Sequence, residues 1–201
     1  VYATKGANTL GFWCYNQSTN SWDQLTDVPL GPNGKKVKGG TDMVYVARND
    51  TGFLYLLKGY KNEFYRLNTV SDRWDTLPDA PVGTNPKWDK GSWLVFDGAS
   101  TLYAHKAKYH ELWRFDLGTG AWNSSSLTGM PFTGRMGKYK KSKDGGCATW
   151  SNGSIYALKG GNTQEFWQYT IATNSWSELD TMPSVGTSGK KKRVKAGADI
   201  V

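Results

Sequence analysis

Four near-identical tetrads divide this 201-residue chain into repeats. Tyr2-Ala3-Thr4-Lys5, Tyr55-Leu56-Leu57-Lys58, Tyr103-Ala104-His105-Lys106 and Tyr156-Ala157-Leu158-Lys159 are each followed by a tryptophan, at Trp22, Trp74, Trp122 and Trp176. Those tryptophans stand 52, 48 and 54 positions apart. A unit of about fifty residues, rich in aromatics and turn residues, cannot bury its apolar faces alone. It must stack on its neighbours, and the pattern reads as propeller blades.

Each repeat resolves into four short strands, named a to d. The fourth repeat is the clearest. Ser154–Lys159 is a compact apolar run between Asn152-Gly153 and Gly160-Gly161, and it reads as strand b. Glu165–Tyr169 follows as strand c. Thr173-Asn174-Ser175 turns the chain, since Asn tolerates positive φ, and Trp176–Leu179 is strand d, closing at Met182-Pro183. Strand a is expected at Met43–Val46, Trp93–Phe96 and Cys147–Trp150. No window holds an amphipathic helical pattern for three turns, and 24 Gly and 7 Pro are spread throughout. The expectation is an all-β chain.

The Gly160-Gly161 pair after strand b, the aromatic strand c, the Thr173-Asn174-Ser175-Trp176 turn and the closing Met182-Pro183 together resemble the kelch-repeat family. The likeness covers essentially the whole chain in a divergent form: a Lys precedes the glycine, and only the fourth repeat keeps both glycines. It implies one β-propeller domain over 1–201, built of four kelch-like four-stranded blades at about 1–38, 39–90, 91–143 and 144–195. Kelch propellers serve binding, scaffolding and occasionally enzymatic roles, so the likeness leaves function open.

The chain opens abruptly inside a strand b and does not begin with Met, which is expected of a processed product or an excerpt. Its end, Lys195-Ala196-Gly197-Ala198-Asp199-Ile200-Val201, matches Lys38-Gly39-Gly40-Thr41-Asp42-Met43-Val44, which leads into a strand a. Residues 196–201 are therefore expected to complete the first blade in cis. In trans the same strand would add to another copy and cause self-association into a ring or filament.

Charge placement says more than the net charge of +8. In an antiparallel blade the d-to-a connection and the b-to-c loop open on one face, and most of the 25 basic residues fall there. Lys38, Lys90, Lys143 and Lys195 are expected to ring the channel mouth and to attract anions. Lys190, Lys191 and Lys192 extend that face. Among the tetrad lysines, Lys58, Lys106 and Lys159 have Glu63, Glu111 and Glu165 across the hairpin and can simply pair with them. Lys5 faces Gly11 instead and is expected to be free. Trp88, between Lys87 and Asp89 without a repeat counterpart, is either packed locally in its loop or an exposed aromatic that could stack on sugars or bases. The recurrent tryptophans, with Trp13, Tyr65, Trp113 and Trp167, read as packing between blades.

Catalytic signatures are scarce. There are two histidines, His105 and His110, and no Cys/His/Asp group at metal-ligand spacing. No nucleophile elbow, P-loop or dinucleotide fingerprint occurs. No cofactor is expected. Some kelch relatives are copper oxidases, but their ligand set cannot be placed here. Cys14 and Cys147 hold unrelated blade positions and are expected to stay unpaired. No apolar run reaches the roughly 18 residues of a membrane span. The sequons at Asn16, Asn49, Asn123 and Asn152 occur at about the frequency chance gives such a composition and read as unmodified turn residues. Abundant Asn, Ser, Thr, Gly and Trp lean toward an extracellular or cell-surface setting. The expected function is a non-catalytic binding or structural propeller, with a basic face for anionic polysaccharide or a protein partner. The alternatives are an assembly subunit built by strand exchange, a nucleic-acid-binding propeller, and a carbohydrate-active enzyme whose paired carboxylates meet in space.

Overall fold

Alternation within strand b explains why its sequence is nearly continuous in apolar residues. Side chains along a strand point to opposite faces, and each inner blade is covered on both. In the computed structural model, which describes every residue except Asn49, Leu54 and Leu56 pack with Phe12 of the first blade. Their neighbours Tyr55 and Leu57 pack with Leu94, Leu102 and Phe115 of the third. The sequon at Asn49 lies outside the described residues.

The strands form four antiparallel sheets. The first holds β1 (Tyr2–Thr4), β2 (Phe12–Asn16) and β3 (Ser21–Gln24). The second holds β4 (Asp42–Arg48), β5 (Thr51–Leu57), β6 (Phe64–Asn68) and β7 (Arg73–Thr76). The third holds β8 (Trp93–Phe96), β9 (Thr101–Lys106), β10 (Glu111–Asp116) and β11 (Ala121–Trp122). The fourth holds β12 (Cys147–Ser151), β13 (Ser154–Leu158), β14 (Phe166–Thr170) and β15 (Ser175–Glu178). In the fourth, Tyr156 lies opposite Gln168 and Tyr169 opposite Trp176, the register that the tetrad and the Trp turn require. The all-β propeller of four kelch-like blades is thus the observed architecture.

Three apolar clusters join successive blades. Phe12, Val28 and Val37 meet Leu54, Leu56, Tyr65 and Leu67 at the first junction. Tyr55, Leu57 and Phe64 meet Leu94, Ala104 and Phe115 at the second. Trp93, Val95 and Tyr103 meet Ile155, Trp167 and Tyr169 at the third. Each fully buried Leu, Phe or Tyr contributes about 1.5–3 kcal/mol.

The closing strand expected over 196–201 is not formed. The first sheet has three strands, and residues 196–201 are hydrogen-bonded into none. Ala198 and Ile200 pack instead on Cys147, Leu158, Val194 and Phe166, the outward face of the fourth blade. Among the described residues no apolar cluster, hydrogen bond or ion pair joins the fourth blade to the first. Cys14 and Cys147 are free thiols. Among the described residues no helix is long and apolar enough to cross a membrane.

Candidate binding face at the channel mouth

Four equivalent hydrogen bonds tie each b-to-c turn to its own d-to-a connection. Asn8 N–H donates to Val37 O at 3.0 Å, Tyr60 to Trp88 O at 2.6 Å, Lys108 to Ser142 O at 3.1 Å and Asn162 to Val194 O at 2.9 Å. The two sets of loops therefore share a face. The same bonds show that Val37, Trp88, Ser142 and Val194 occupy one repeat position, and all four are buried. This overturns the reading of Trp88 as an exposed stacking platform. Trp88 is 0% exposed, lies in the core between the second and third blades, and donates Nε1–H to Pro81 O at 3.3 Å. Its flanking charges misled, because the turn above it, not its neighbours in sequence, determines its burial.

The tetrad lysines with a glutamate partner are internal. Lys58, Lys106 and Lys159 are wholly buried. Lys58 lies 3.1 Å from Glu63, Lys106 3.7 Å from Glu111 and Lys159 2.6 Å from Glu165. Each ammonium also donates to the connection leaving the preceding blade: Lys58 to Pro29 O and Leu30 O, Lys106 to Val82 O and Asn85 O, Lys159 to Phe132 O. Burial pulls the pKa of Lys106 and Lys159 down even though each glutamate pulls it up. These three lysines brace the blade junctions. Lys5, which lacks the glutamate, stays exposed at the edge of the first blade, beside Trp13 and Gln24.

Of the four lysines expected to ring the channel, three converge. Lys90, Lys143 and Lys195 line one cleft of about 450 Å³, joined by Lys108, Asp89 and Asp144. Lys90 pairs with Asp144 at 3.5 Å, and Asp89 pairs with Lys87 at 3.2 Å and with Lys108. Burial, the largest single influence, would raise the Asp89 carboxyl, but the bonds from Lys108, Lys90 N–H and Lys87 and the Lys108 charge together outweigh it and hold the acid below its usual range. Lys143 and Lys195 are exposed, with no carboxylate in ion-pair range among the described residues. Lys38 does not line the cleft; its ammonium sits 5.1 Å over the Tyr60 ring. Lys190 and Lys192 line a separate depression with Arg193 and Met182, and Lys191 is exposed beside them.

Below the mouth, a cavity of about 660 Å³ is lined by the glycine turns that precede each strand a and by Asp42, Cys147 and Asp199. Asp42 accepts a hydrogen bond from Leu94 N–H at 2.8 Å, yet burial pushes its carboxyl up to about 6. Burial, then Asp199 and Asp42, push the Cys147 thiol up to about 12. A basic mouth therefore opens on an acidic throat. The sequence reading missed both Lys108 and this acidic pair. The signal was present: Asp42 and Asp199 hold the same place in the matching segments Thr41-Asp42-Met43-Val44 and Ala198-Asp199-Ile200-Val201.

The histidines are interior. His105 Nε2 lies 2.8 Å from Ser142 Oγ, Ser142 N–H donates to His110 Nε2 at 2.7 Å, and His110 Nδ1 lies 2.6 Å from Met130 O. All three residues are buried, so this Ser–His set braces the third blade rather than meeting solvent. Among the described residues no three His, Cys, Asp or Glu come together to hold a metal.

No family model matches the chain. A curated relative, an F-box/kelch-repeat protein of Arabidopsis thaliana, is 27% identical over 177 residues, covering 79% of this chain and 33% of its own length. The chain thus spans about a third of that relative. With its repeated aromatic strands, its Trp turns and its antiparallel blades, the chain resembles the kelch-repeat β-propellers in both sequence and fold.

Proposed function

We propose that this chain is a non-catalytic binding propeller that takes an anionic segment of a protein partner across its channel mouth. The observation that carries the reading is the convergence of Lys90, Lys143 and Lys195 on one cleft, with Lys143 and Lys195 in no ion pair among the described residues. Low-dielectric walls around like charges focus the field and concentrate anions. The likeness to an F-box/kelch-repeat protein supports an interaction role over catalysis. An extended acidic peptide suits a cleft that also offers the partly exposed Asp144 to its backbone N–H groups or to a basic residue.

The test is fluorescence anisotropy with a labelled oligoglutamate peptide, competed by an acidic polysaccharide and by single-stranded DNA. The double variant K143E/K195E should weaken peptide binding by more than about tenfold, and rising salt should weaken it further. Affinity unchanged by the variant, or insensitive to salt, sinks the proposal. Preferential binding of the polysaccharide would transfer the cleft to the glycan reading and its extracellular setting. Preferential binding of DNA would transfer it to nucleic acid.

A further inference from the structure

Every junction inside the chain uses the same two-point grip on an extended segment. At the first, Trp74 Nε1–H donates to Thr26 O at 2.9 Å and Lys58 to Leu30 O at 2.6 Å. At the second, Trp122 donates to Pro78 O at 3.0 Å and Lys106 to Val82 O. At the third, Trp176 donates to Thr128 O at 2.8 Å and Lys159 to Phe132 O at 2.9 Å. Measured from Pro29, Pro81 and Pro131, the indole always takes the carbonyl three residues before the proline. The ammonium always takes the one just after it. The residue before the proline, Val28, Ala80 or Met130, is 1% exposed in each case.

Both halves of a fourth grip are present and unengaged. On the first blade, Trp22 and Lys5 stand where Trp74 and Lys58 stand on the second. Trp22 is 52% exposed, and its ring packs on Tyr15 at 5.2 Å as Trp176 packs on Tyr169 at 5.1 Å. The seat filled elsewhere by the gripped segment is here an open cleft of about 420 Å³ lined by Lys5, Trp13 and Gln24. On the fourth blade, Asp180-Thr181-Met182-Pro183-Ser184 repeats the gripped segment, with Met182 in the place of Val28, Ala80 and Met130. Met182 is 46% exposed. Gly197 tells the same story. A Cβ on Gly91 would meet the Lys143 carbonyl and one on Gly145 the Lys195 carbonyl, each at the glycine turn that comes one repeat later, whereas one on Gly197 would meet nothing.

We propose that the first-blade cleft receives the Asp180–Ser184 segment of a second copy of this chain, in a head-to-tail junction. Trp22 Nε1–H would donate to the Asp180 carbonyl and Lys5 to the Ser184 carbonyl, with Met182 buried between the copies. The occupant follows from chemistry used three times within the molecule, and among the described residues Asp180–Ser184 is the segment of that type left ungripped. The contact differs from strand exchange, because residues 196–201 stay on their own blade. It is heterologous, so it propagates or closes into a ring. Lys5 and Lys36 at one end would meet Lys190, Lys192 and Arg193 at the other, so salt should favour the junction by screening like charges.

The test is sedimentation of the whole chain over a concentration series, with W22A and M182E. Both positions are exposed, and circular dichroism and melting confirm that each variant folds. The wild-type average mass should climb with concentration and with salt. Either variant should weaken association by more than about tenfold, as loss of a central aromatic or apolar anchor does. An equimolar mixture of the two should form a one-to-one dimer and nothing larger, because W22A keeps its segment and M182E keeps its cleft. A wild type that stays monomeric at every concentration overturns the proposal, as does association that neither variant disturbs. So do a mixture that stays monomeric and association that weakens with salt. Variants that lower the melting temperature of a monomer would show the grip closing within one chain, which also overturns it.

Discussion

Replacing Lys106 with Met tests whether the tetrad lysine braces the blade junction. The ammonium is fully buried, donates to two carbonyls of the connection leaving the second blade, and lies 3.7 Å from Glu111. Met fills most of the volume, so the cost is polar. Glu111 is left without its cation, though Thr84 N–H still donates to it at 2.7 Å. The carbonyls of Val82 and Asn85 lose a donor, at about 1–3 kcal/mol for each acceptor left unsatisfied. Breaking a buried pair from one side costs about 3–5 kcal/mol, and the same range is expected here. The double variant K106M/E111L removes the stranded carboxylate and should recover about 1–2 kcal/mol, the carbonyls remaining unserved. Lys5→Met, at the exposed and unpartnered equivalent, should change stability by less than about 0.5 kcal/mol. Urea unfolding at neutral pH, extrapolated linearly, reads all three. If K106M costs no more than Lys5→Met, the lysine is a surface charge and the junction argument fails.

Gly145→Ala and Gly197→Ala share a positive φ, +82° and +85°, so both bear a backbone cost of about 1–2 kcal/mol. Only Gly145 also faces a backbone carbonyl, that of Lys195, so it should lose clearly more in the same urea assay; equal losses would refute the close approach. Acid should act through the buried histidines. Burial lowers His110 to about 4 and His105 well below its usual value, so their neutral forms stabilise the fold fully above pH 6.5, and that stability is withdrawn as pH falls toward 4. For His110 the loss is about 3 kcal/mol, at 1.36 kcal/mol per unit. Asp42 opposes it: its carboxyl is raised to about 6, so its penalty is present above pH 6 and gone below about 4. Asp42→Asn should therefore steepen the acid loss, and a flat stability profile from pH 7 to 4 in that variant would refute the assignment.

The repeat, the strands and the shared face of the basic loops were legible because they rest on local patterns. A compact apolar run bounded by turn residues marks Leu54 to Leu57 as a strand, and the hairpin topology alone places Lys90, Lys143 and Lys195 near one another. What escaped was burial decided by a neighbouring element. Trp88 sits among charges in sequence, yet it lies beneath the turn at Tyr60. Lys58, Lys106 and Lys159 were matched to their glutamates, but their carbonyl acceptors belong to the preceding blade, 21 to 29 residues away in sequence. The closing strand failed for a related reason. Residues 196–201 carry the strand-a motif, but a motif states a preference for pairing, and here they pack on the fourth blade without forming a ladder.

The lysines of this chain divide into two populations that mutagenesis can separate. Each buried tetrad lysine is matched by a glutamate, so the three pairs add little to the outer field. The field at the mouth comes from Lys143, Lys195 and the connections around them, whose side chains are exposed. Reversing those charges leaves every junction contact in place, so it should alter anion binding without altering unfolding. Changing Lys58, Lys106 or Lys159 should do the opposite, lowering stability and affecting binding only through loss of the fold. Stability in such arrays is a sum of blade and junction contributions. The first blade, with three strands and one engaged junction, should therefore exchange its amide hydrogens fastest in the isolated chain. If the head-to-tail contact forms, protection should rise with concentration at β2 and β3, which carry Trp13 and Trp22, and remain constant at the second and third blades.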